Sequence, residues 1–177
     1  ATADESHDVA SRCATADGVV YVPALLGLGT PEWDYGARGA LLGLTRGTDR
    51  QHVVRAVLEG VAHRGADLVE AAEADTGLEI PALRVDGGMS RNPTFVQALA
   101  DASGKRVEVA PLVEATTLGA GFLAGVATGV WTDLAATAAR WQPSSVAEPG
   151  DRLDRAAWAE AIARTRAWIP ELSALDF

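Results

Sequence analysis

The sequence predicts an α/β fold in which a parallel pair of strands is covered by helices. Two strand-to-helix units follow each other closely: a strand at 83–85 leads into a helix at 93–102, and a strand at 106–109 leads into a helix at 115–127. Strands that alternate with helices at this spacing are typical of right-handed crossovers and a parallel sheet. A long amphipathic helix precedes the first unit and supplies a further layer.

Two short strands and a long loop are predicted in the first half of the chain. Residues 18–23 and 39–44 are rich in Val, Leu and Tyr, and proline or glycine bounds them, which favours strands. Residues 24–37 contain three glycines and a proline. They predict a loop that packs against the protein or touches a ligand or partner. The polar residues 1–16 show no sustained apolar period, so we expect a frayed helix or tail outside the core.

The long helix is expected to follow Thr48 or Asp49, either of which can cap it, and to end at Gly77. Apolar side chains at helical spacing predict one buried stripe, formed by Val54, Val57, Leu58, Val61, Leu68 and Val69. We expect His52 and Arg55 to lie on the opposite, solvated side of the helix.

The C-terminal region begins with a linker at 142–150 that is rich in proline and serine. An amphipathic helix is expected from about 152 to 168, with Trp158 and Ile162 on its buried side. The aromatic side chains of this half are more simply explained as packing anchors for the C-terminal helices than as a stacking platform for a ligand. These are Trp131, Trp141, Trp158 and Trp168.

Composition and charge narrow the classes of function. The chain has 177 residues, of which 48% are hydrophobic and 22% are charged, as expected for one globular domain. A net charge of −9 argues against a nucleic-acid groove or an anionic membrane surface as partner. No apolar run is long enough to span a bilayer, and no signal-peptide pattern opens the chain. The single cysteine, Cys13, indicates a reducing compartment, and we expect the cytoplasm.

No pattern in the sequence indicates metal ligation or nucleophilic catalysis. The three histidines, His7, His52 and His63, are not paired with cysteine or carboxylate at ligand spacing. No serine lies in a Gly-x-Ser-x-Gly elbow. Asp86 ends a strand beside two glycines, where a catalytic carboxylate could lie. Its simpler interpretation is a cap for the turn or for the following helix.

The segment 83–92 reads LRVDGGMSRN, in which a strand runs into Gly87 and Gly88 and a helix is expected from about Ser90. Glycines let a backbone pass close to a ligand, and a helix N-terminus offers unpaired N–H groups to anions. Asn92 could then reach a purine edge or a ribose. The same residues also fit an ordinary strand-to-helix turn, with Asn92 as a plain N-terminal helix residue, and residue chemistry alone favours that interpretation.

Residues 39–59 read GALLGLTRGTDRQHVVRAVLE and resemble the second signature of the FGGY carbohydrate kinases. The resemblance to this family extends over residues 17–168. Residues 22–39, which read VPALLGLGTPEWD and then end in ARG, resemble its glycerol kinase branch most. The segment 83–92 is similar to the adenosine motif that the superfamily shares with actin and heat-shock chaperones. The family resemblance also includes the stretch VEATTLGAGFLAG at 113–125 and the pattern of Trp158, Arg164 and Trp168.

The resemblance implies a ribonuclease-H-like fold and, within it, the C-terminal nucleotide-binding domain. In the family, the second glycine and the asparagine of the adenosine motif contact the adenine nucleotide. These positions correspond to Gly88 and Asn92, with Gly87 beside them. ATP and Mg²⁺ are the implied cofactors, and transfer of the γ-phosphoryl group to glycerol is the implied reaction. The expected division is a tail at 1–16, a partial kinase domain at 17–141, and a linker and helix at 142–177.

Departures from the family limit what this chain can do alone. The family's N-terminal domain, with its substrate-binding residues and general base, and the first two strands of the C-terminal domain fall outside the match. We therefore expect weak nucleotide binding, no catalytic residue and no metal ligand in this chain, and the missing kinase portion as its partner. An incomplete sheet would expose an edge and apolar surface that favour association, including with another copy. The alternative is an inactive, free-standing module that binds a nucleotide or a partner.

Overall fold

The computed structural model describes residues 5–112, 114–138 and 141–174. Its elements, in chain order, are α1 (Ser6–Ala10), β1 (Val20–Val22), β2 (Ala40–Leu42), α2 (Arg50–Thr76), β3 (Ala82–Val85), a 3₁₀ turn (Gly88–Arg91), α3 (Pro93–Ser103), β4 (Arg106–Val109), α4 (Ala115–Ala127), α5 (Leu134–Ala138), β5 (Ser145–Ala147), α6 (Arg155–Thr165) and α7 (Pro170–Ser173). The main apolar core lies between α2, α3 and β4. A second core lies between β1, the loop that follows it and α6.

The strands β3 and β4 pair in parallel, with Leu83 opposite Val107, which confirms the predicted parallel pair. A third strand, β5, pairs antiparallel with β4 and places Ser145 opposite Val109. This strand lies inside the segment predicted as a linker, and that prediction is wrong there. Ser145 and Val146 are exposed, so β5 follows from backbone pairing with β4 and leaves no burial pattern in the sequence.

The strands β1 and β2 form a separate antiparallel pair in which Val20 lies opposite Leu42. The loop between them is packed down, as one of the two expectations for it required. Leu28 and Ala37 are buried, and the carboxylate of Asp34 is buried with them. Trp33, in contrast, is 59% exposed.

The bounds of α2 confirm the cap at Asp49 and the end at Gly77, where φ is 67°. The predicted apolar stripe is wrong for two of its members, since Val57 and Leu68 are exposed. The face that packs inward carries mostly small side chains: Ala56, Leu58, Gly60, Ala62, His63 and Ala66. These side chains let α2 approach its neighbours closely, because a Cβ on Gly60 would lie 2.1 Å from the carbonyl oxygen of Tyr21.

The expectation of a tail outside the core is wrong for α1, in which Val9 and Ala10 are buried. Arg55 is also less solvated than expected. Its Nε donates to Glu59 Oε1 at 2.7 Å and its Nη1 donates to the carbonyl oxygen of Cys13 at 2.8 Å, so it ties the N-terminal segment to α2. His52 has a capping role, since its Nδ1 accepts a hydrogen bond from the N–H of Asp49 at 3.0 Å.

The helix α6 buries Trp158 and Ile162, as predicted. Trp168 is 72% exposed, so its expected anchoring role is wrong. The helix ends at Thr165, and a positive φ of 52° at Ala167 turns the chain before Trp168 is reached. The other two aromatic anchors pack locally instead, with Trp131 edge-on to Phe122 and Trp141 beneath the guanidinium of Arg84.

The helix α4 buries none of its side chains. Leu123 is 60% exposed, and Val130 and Leu134 nearby are exposed as well. Within the described residues, β3 pairs on one side only, with β4. None of the helices in the described part of the chain combines the length and the apolar character that crossing a membrane requires.

Candidate functional site

The turn between β3 and α3 is built on Gly87. Its φ of 84° and ψ of −176° lie in a region that is open essentially to glycine alone. Ser90 is buried, and its hydroxyl donates to the carbonyl oxygen of Gly87 at 2.8 Å, which holds the turn from inside. The helix predicted from about Ser90 is instead a 3₁₀ turn (Gly88–Arg91), and α3 begins only at Pro93. Sequence reasoning gave Ser90 no role.

Gly88 differs from Gly87 in that neither backbone nor packing requires glycine there. Its φ lies outside the positive range, and a Cβ built on it would meet no heavy atom within 4 Å. A Cβ on Gly87 would likewise meet nothing within 4 Å. The two glycines therefore present bare backbone to open space, and Gly88 is a glycine that the described part of the chain does not itself explain.

Asn92 is the N-cap of α3. Its Oδ1 accepts a hydrogen bond from the N–H of Phe95 at 3.1 Å, and its Nδ2 donates to Ser6 Oγ at 2.8 Å. The capping role that the sequence assigned to Asp86 therefore belongs to Asn92 for this helix, and Asp86 is exposed. The structure thus brings Gly87, Gly88 and Asn92 to one turn and gives Asn92 a structural task as well.

The helix α1 packs beside this turn, and sequence reasoning did not anticipate it. His7 Nδ1 lies 2.9 Å from Thr94 Oγ1, so a second hydrogen bond joins α1 to the start of α3. The contact from Ser6 was missed because residues 1–16 read as a tail. The adjacent apolar residues Val9 and Ala10, which are buried, were the available signal of a packed helix.

A cleft of about 430 Å³ opens beside the turn, between α3 and the ends of β4 and β5. Its lining includes Ser90 and Arg91 but none of Gly87, Gly88 and Asn92. Gly87, Gly88 and Asn92 thus lie outside this cleft. A ligand at the glycines would lie on the open surface of the described chain.

Within the described ranges, no three His, Cys, Asp or Glu side chains come close enough to hold a metal ion. Cys13 is also an unpromising nucleophile. Burial raises the pKa of its thiol, and this outweighs the lowering by the nearby Arg55 cation. Reactive cysteines need the opposite shift, because the thiolate is the nucleophile.

Comparison with known proteins gives a consistent result. A family model described as the C-terminal domain of the FGGY family of carbohydrate kinases matches residues 2–128. The glycerol kinase of Halorhodospira halophila is 44% identical over 176 residues, which are 96% of this chain and 34% of the relative. Glycerol kinase 2 of Thermotoga maritima is 43% identical over 172 residues, or 94% of this chain and 34% of the relative.

Solved structures of the same family also superpose on this chain. A crystal structure of Plasmodium falciparum glycerol kinase with ADP matches with a TM-score of 0.81 and 34% identity, over 92% of this chain and 34% of that one. A ligand-bound xylulose kinase from Lactobacillus acidophilus matches with a TM-score of 0.69 and 26% identity, over 96% of this chain and 33% of that one. The chain spans about a third of the length of these relatives.

Proposed function

Because the chain belongs to the FGGY family of carbohydrate kinases, we propose that it is the nucleotide-binding portion of a glycerol kinase. That enzyme transfers the γ-phosphoryl group of ATP to a hydroxyl of glycerol. Glycerol is favoured over other substrates because the glycerol kinase structure is 34% identical to this chain, against 26% for the xylulose kinase. The relatives from Halorhodospira and Thermotoga, at 44% and 43% identity, are also glycerol kinases.

The observation that carries the nucleotide assignment is Gly88. Glycine in a helical turn costs about 0.5–1 kcal/mol relative to alanine, so a glycine without a conformational or packing reason needs another explanation. Close approach of a flat ligand to the backbone supplies one, and the open space above Gly87 and Gly88 accommodates it. We propose that an adenine nucleotide contacts Gly87, Gly88 and Asn92.

Phosphoryl transfer would need groups from outside this chain. The reaction depends on positioning, on Mg²⁺ and on a group that orients the attacking hydroxyl. The described residues contain no cluster that could hold a metal ion. We propose that Mg²⁺ would be held by the nucleotide phosphates, where it would neutralise developing charge. The catalytic base and the glycerol site belong to the kinase portion that the relatives carry in addition.

The surface that would receive this additional portion has two parts. The outer edge of β3 offers backbone groups for a further strand, since within the described residues β3 pairs only with β4. The helix α4 presents an apolar groove of about 510 Å³ whose walls include Leu118, Phe122 and Trp131. Strands added beside β3 and apolar side chains packed on α4 would remove both features from water.

We also propose the cytoplasm as the compartment. The partly buried thiol of Cys13 has no cysteine partner in the sequence, and a reducing compartment keeps such a thiol free. Intracellular ATP would be available there. Fractionation of cells that produce the parent kinase, followed by detection of this region, would test the location.

The proposal is tested in two steps. First, the ¹⁵N-labelled chain is titrated with ADP and followed by NMR, which detects millimolar binding. We expect shifts at the amides of Gly87, Gly88 and Phe95. Second, the chain is mixed with the N-terminal two thirds of the Halorhodospira relative, and glycerol-dependent ADP release is measured. Release above that of either piece alone supports the kinase assignment. Binding without release or complex formation indicates the free-standing module instead, and no binding removes the nucleotide assignment.

A further inference from the structure

The oxygen and the nitrogen of the Asn92 side-chain amide have different partners, and this fixes the orientation of the amide. The Phe95 N–H needs an acceptor, so the atom that faces it must be Oδ1, at 3.1 Å. The nitrogen then faces Ser6, whose Oγ accepts from it at 2.8 Å. An amide is otherwise free to turn by 180° at little cost, because its two ends have nearly the same shape.

The side chain of Asn92 retains one N–H donor that could bind a ligand. The amide nitrogen carries two hydrogens, and Ser6 accepts one of them. The second N–H is available, so Asn92 offers a donor to a ligand atom. Its counterpart on a nucleotide is an acceptor: a ring nitrogen of the purine or an oxygen of the ribose.

We propose that Ser6 is a positioning residue of the nucleotide site, which holds the Asn92 amide so that its second N–H donates to an acceptor on the nucleoside. This inference rests on the proposed function. Ser6 touches Asn92 through its hydroxyl and contributes to nucleotide affinity by fixing the donor in advance. A group held in its bound orientation loses less freedom when the ligand arrives.

The junction between α1 and α3 offers a matched control. His7 Nδ1 and Thr94 Oγ1 lie 2.9 Å apart, so this pair joins the same two helices without touching Asn92. Thr94→Val removes the hydroxyl and keeps the shape of the side chain. Ser6→Ala and Thr94→Val each remove one hydrogen bond of the junction, whereas only Ser6→Ala should leave the Asn92 amide held by the Phe95 N–H alone.

The experiment is an NMR titration with ADP of the wild-type chain and of Ser6→Ala, Ser6→Thr and Thr94→Val. Loss of one neutral hydrogen bond corresponds to about a three- to tenfold change in an equilibrium constant. We expect Ser6→Ala to weaken ADP binding by that factor and to shift the Asn92 side-chain NH₂ resonances before ADP is added. Ser6→Thr, which keeps the hydroxyl, should restore much of the affinity, and Thr94→Val should bind as the wild type does.

The outcomes separate this inference from the function on which it rests. If the wild-type chain shows no shifts with ADP, the proposed function fails and the role of Ser6 fails with it. If the wild type binds and Ser6→Ala binds equally well, the role of Ser6 alone is overturned. Equal losses in Ser6→Ala and Thr94→Val would mean that both act only through the stability of the junction, and this too overturns the positioning role.

Discussion

The imidazole ring of His63 lies flat against the indole ring of Trp158, with centroids 4.8 Å apart and an angle of 7° between the planes. Arg155 approaches the edge of this pair, with Nη1 3.1 Å from His63 Nδ1. A guanidinium can only donate, so Nδ1 accepts and the ring proton lies on Nε2. The neutral ring thereby joins α2 to α6 both through the stack and through Arg155.

The first prediction concerns pH. Burial, and after it the nearby Arg155 cation, lower the pKa of His63 from its ordinary 6.5 to about 4. The unfolded chain therefore binds a proton that the folded chain does not, and stability is lost as pH falls from about 6.5 towards 4. The loss from this group is at most about 3 kcal/mol, from the size of the shift. Urea unfolding at pH 7.5, 6.5, 5.5 and 4.5 measures it.

The control for this pH dependence is His63→Asn, whose amide can still accept from Arg155 but does not titrate. Glu59, whose pKa burial raises, is present in both proteins, so its contribution is common to both profiles. The difference between the two pH profiles therefore isolates His63. Parallel profiles would contradict the assigned role of His63.

The second prediction separates the two glycines of the turn. Gly87→Ala places a Cβ on a backbone conformation of the kind that costs about 1–3 kcal/mol for other residues, so it should destabilise the fold by that amount. Gly88→Ala should change the free energy of unfolding by less than about 1 kcal/mol. It should nevertheless weaken ADP binding at least about tenfold, because its methyl group occupies the ligand's side of the turn. Urea unfolding and NMR titration measure the two effects, and wild-type affinity in Gly88→Ala would refute the contact.

The third prediction separates two roles of the Asn92 side chain: its oxygen caps α3, and its N–H donates to the nucleotide. Asn92→Ala loses the cap and should cost about 1 kcal/mol, whereas Asn92→Asp keeps an acceptor for the Phe95 N–H and should be as stable as the wild type. Both variants lose the side-chain N–H donor. Both should therefore bind nucleotide more weakly, by about three- to tenfold or more.

Adenosine serves as the control ligand for the Asn92→Asp variant. It carries no phosphate, so repulsion between the new carboxylate and phosphates does not contribute to its affinity. Weaker binding of adenosine to Asn92→Asp, measured by the same NMR titration, would reflect the lost donor. Unchanged adenosine affinity would mean that Asn92 is only a helix cap.

The fourth prediction concerns close packing of α2. A Cβ on Gly60 would lie 2.1 Å from the backbone oxygen of Tyr21, whereas a Cβ on Gly65 would lie 2.7 Å from the flexible end of Leu99. Gly60→Ala should destabilise the chain by about 1–3 kcal/mol, because the backbone of β1 must move. Gly65→Ala should be close to neutral, since helix propensity favours alanine by about 1 kcal/mol. Equal stabilities in urea would contradict the close approach of α2 to β1.

The sequence predicted the elements whose signals are local. Asp49 and Gly77 bound α2 as expected, and the parallel pairing of β3 with β4 followed from the short strand-to-helix units. The strand β5 was missed because it exists only through pairing with β4, and its exposed side chains carry no period. The exposure of Val57 and Leu68 was missed for a related reason: the inward face of α2 was set by small residues that allow close approach, and not by the large apolar ones.

In the candidate site, too, some residues could be predicted from the sequence and others could not. Gly87 and Gly88 stand out in the sequence because two glycines end a strand. The contact between Asn92 and Ser6 does not stand out, because Ser6 lies 86 positions away. Asp34 is a parallel case, since its buried carboxylate accepts from the N–H groups of Gly36, Ala37 and Ala167 and from the hydroxyl of Ser173. Burial raises the pKa of Asp34, and these hydrogen bonds together outweigh it and hold the pKa below its usual value. Gly36 and Ala37 are local donors, but no local pattern encodes the distant donors Ala167 and Ser173.

Hydrogen exchange in the helix α4 can measure whether the rest of a kinase has docked on this chain. None of the side chains of α4 is fully buried, so packing holds it less firmly than it holds α2, and a helix of 13 residues is marginal on its backbone hydrogen bonds alone. Its amide hydrogens should exchange with solvent orders of magnitude faster than those in the centre of α2. Occupation of its apolar face would slow that exchange, residue by residue, without any change in the hydrogen bonds themselves. The same helix would then report, through deuterium uptake alone, whether the rest of a kinase has docked.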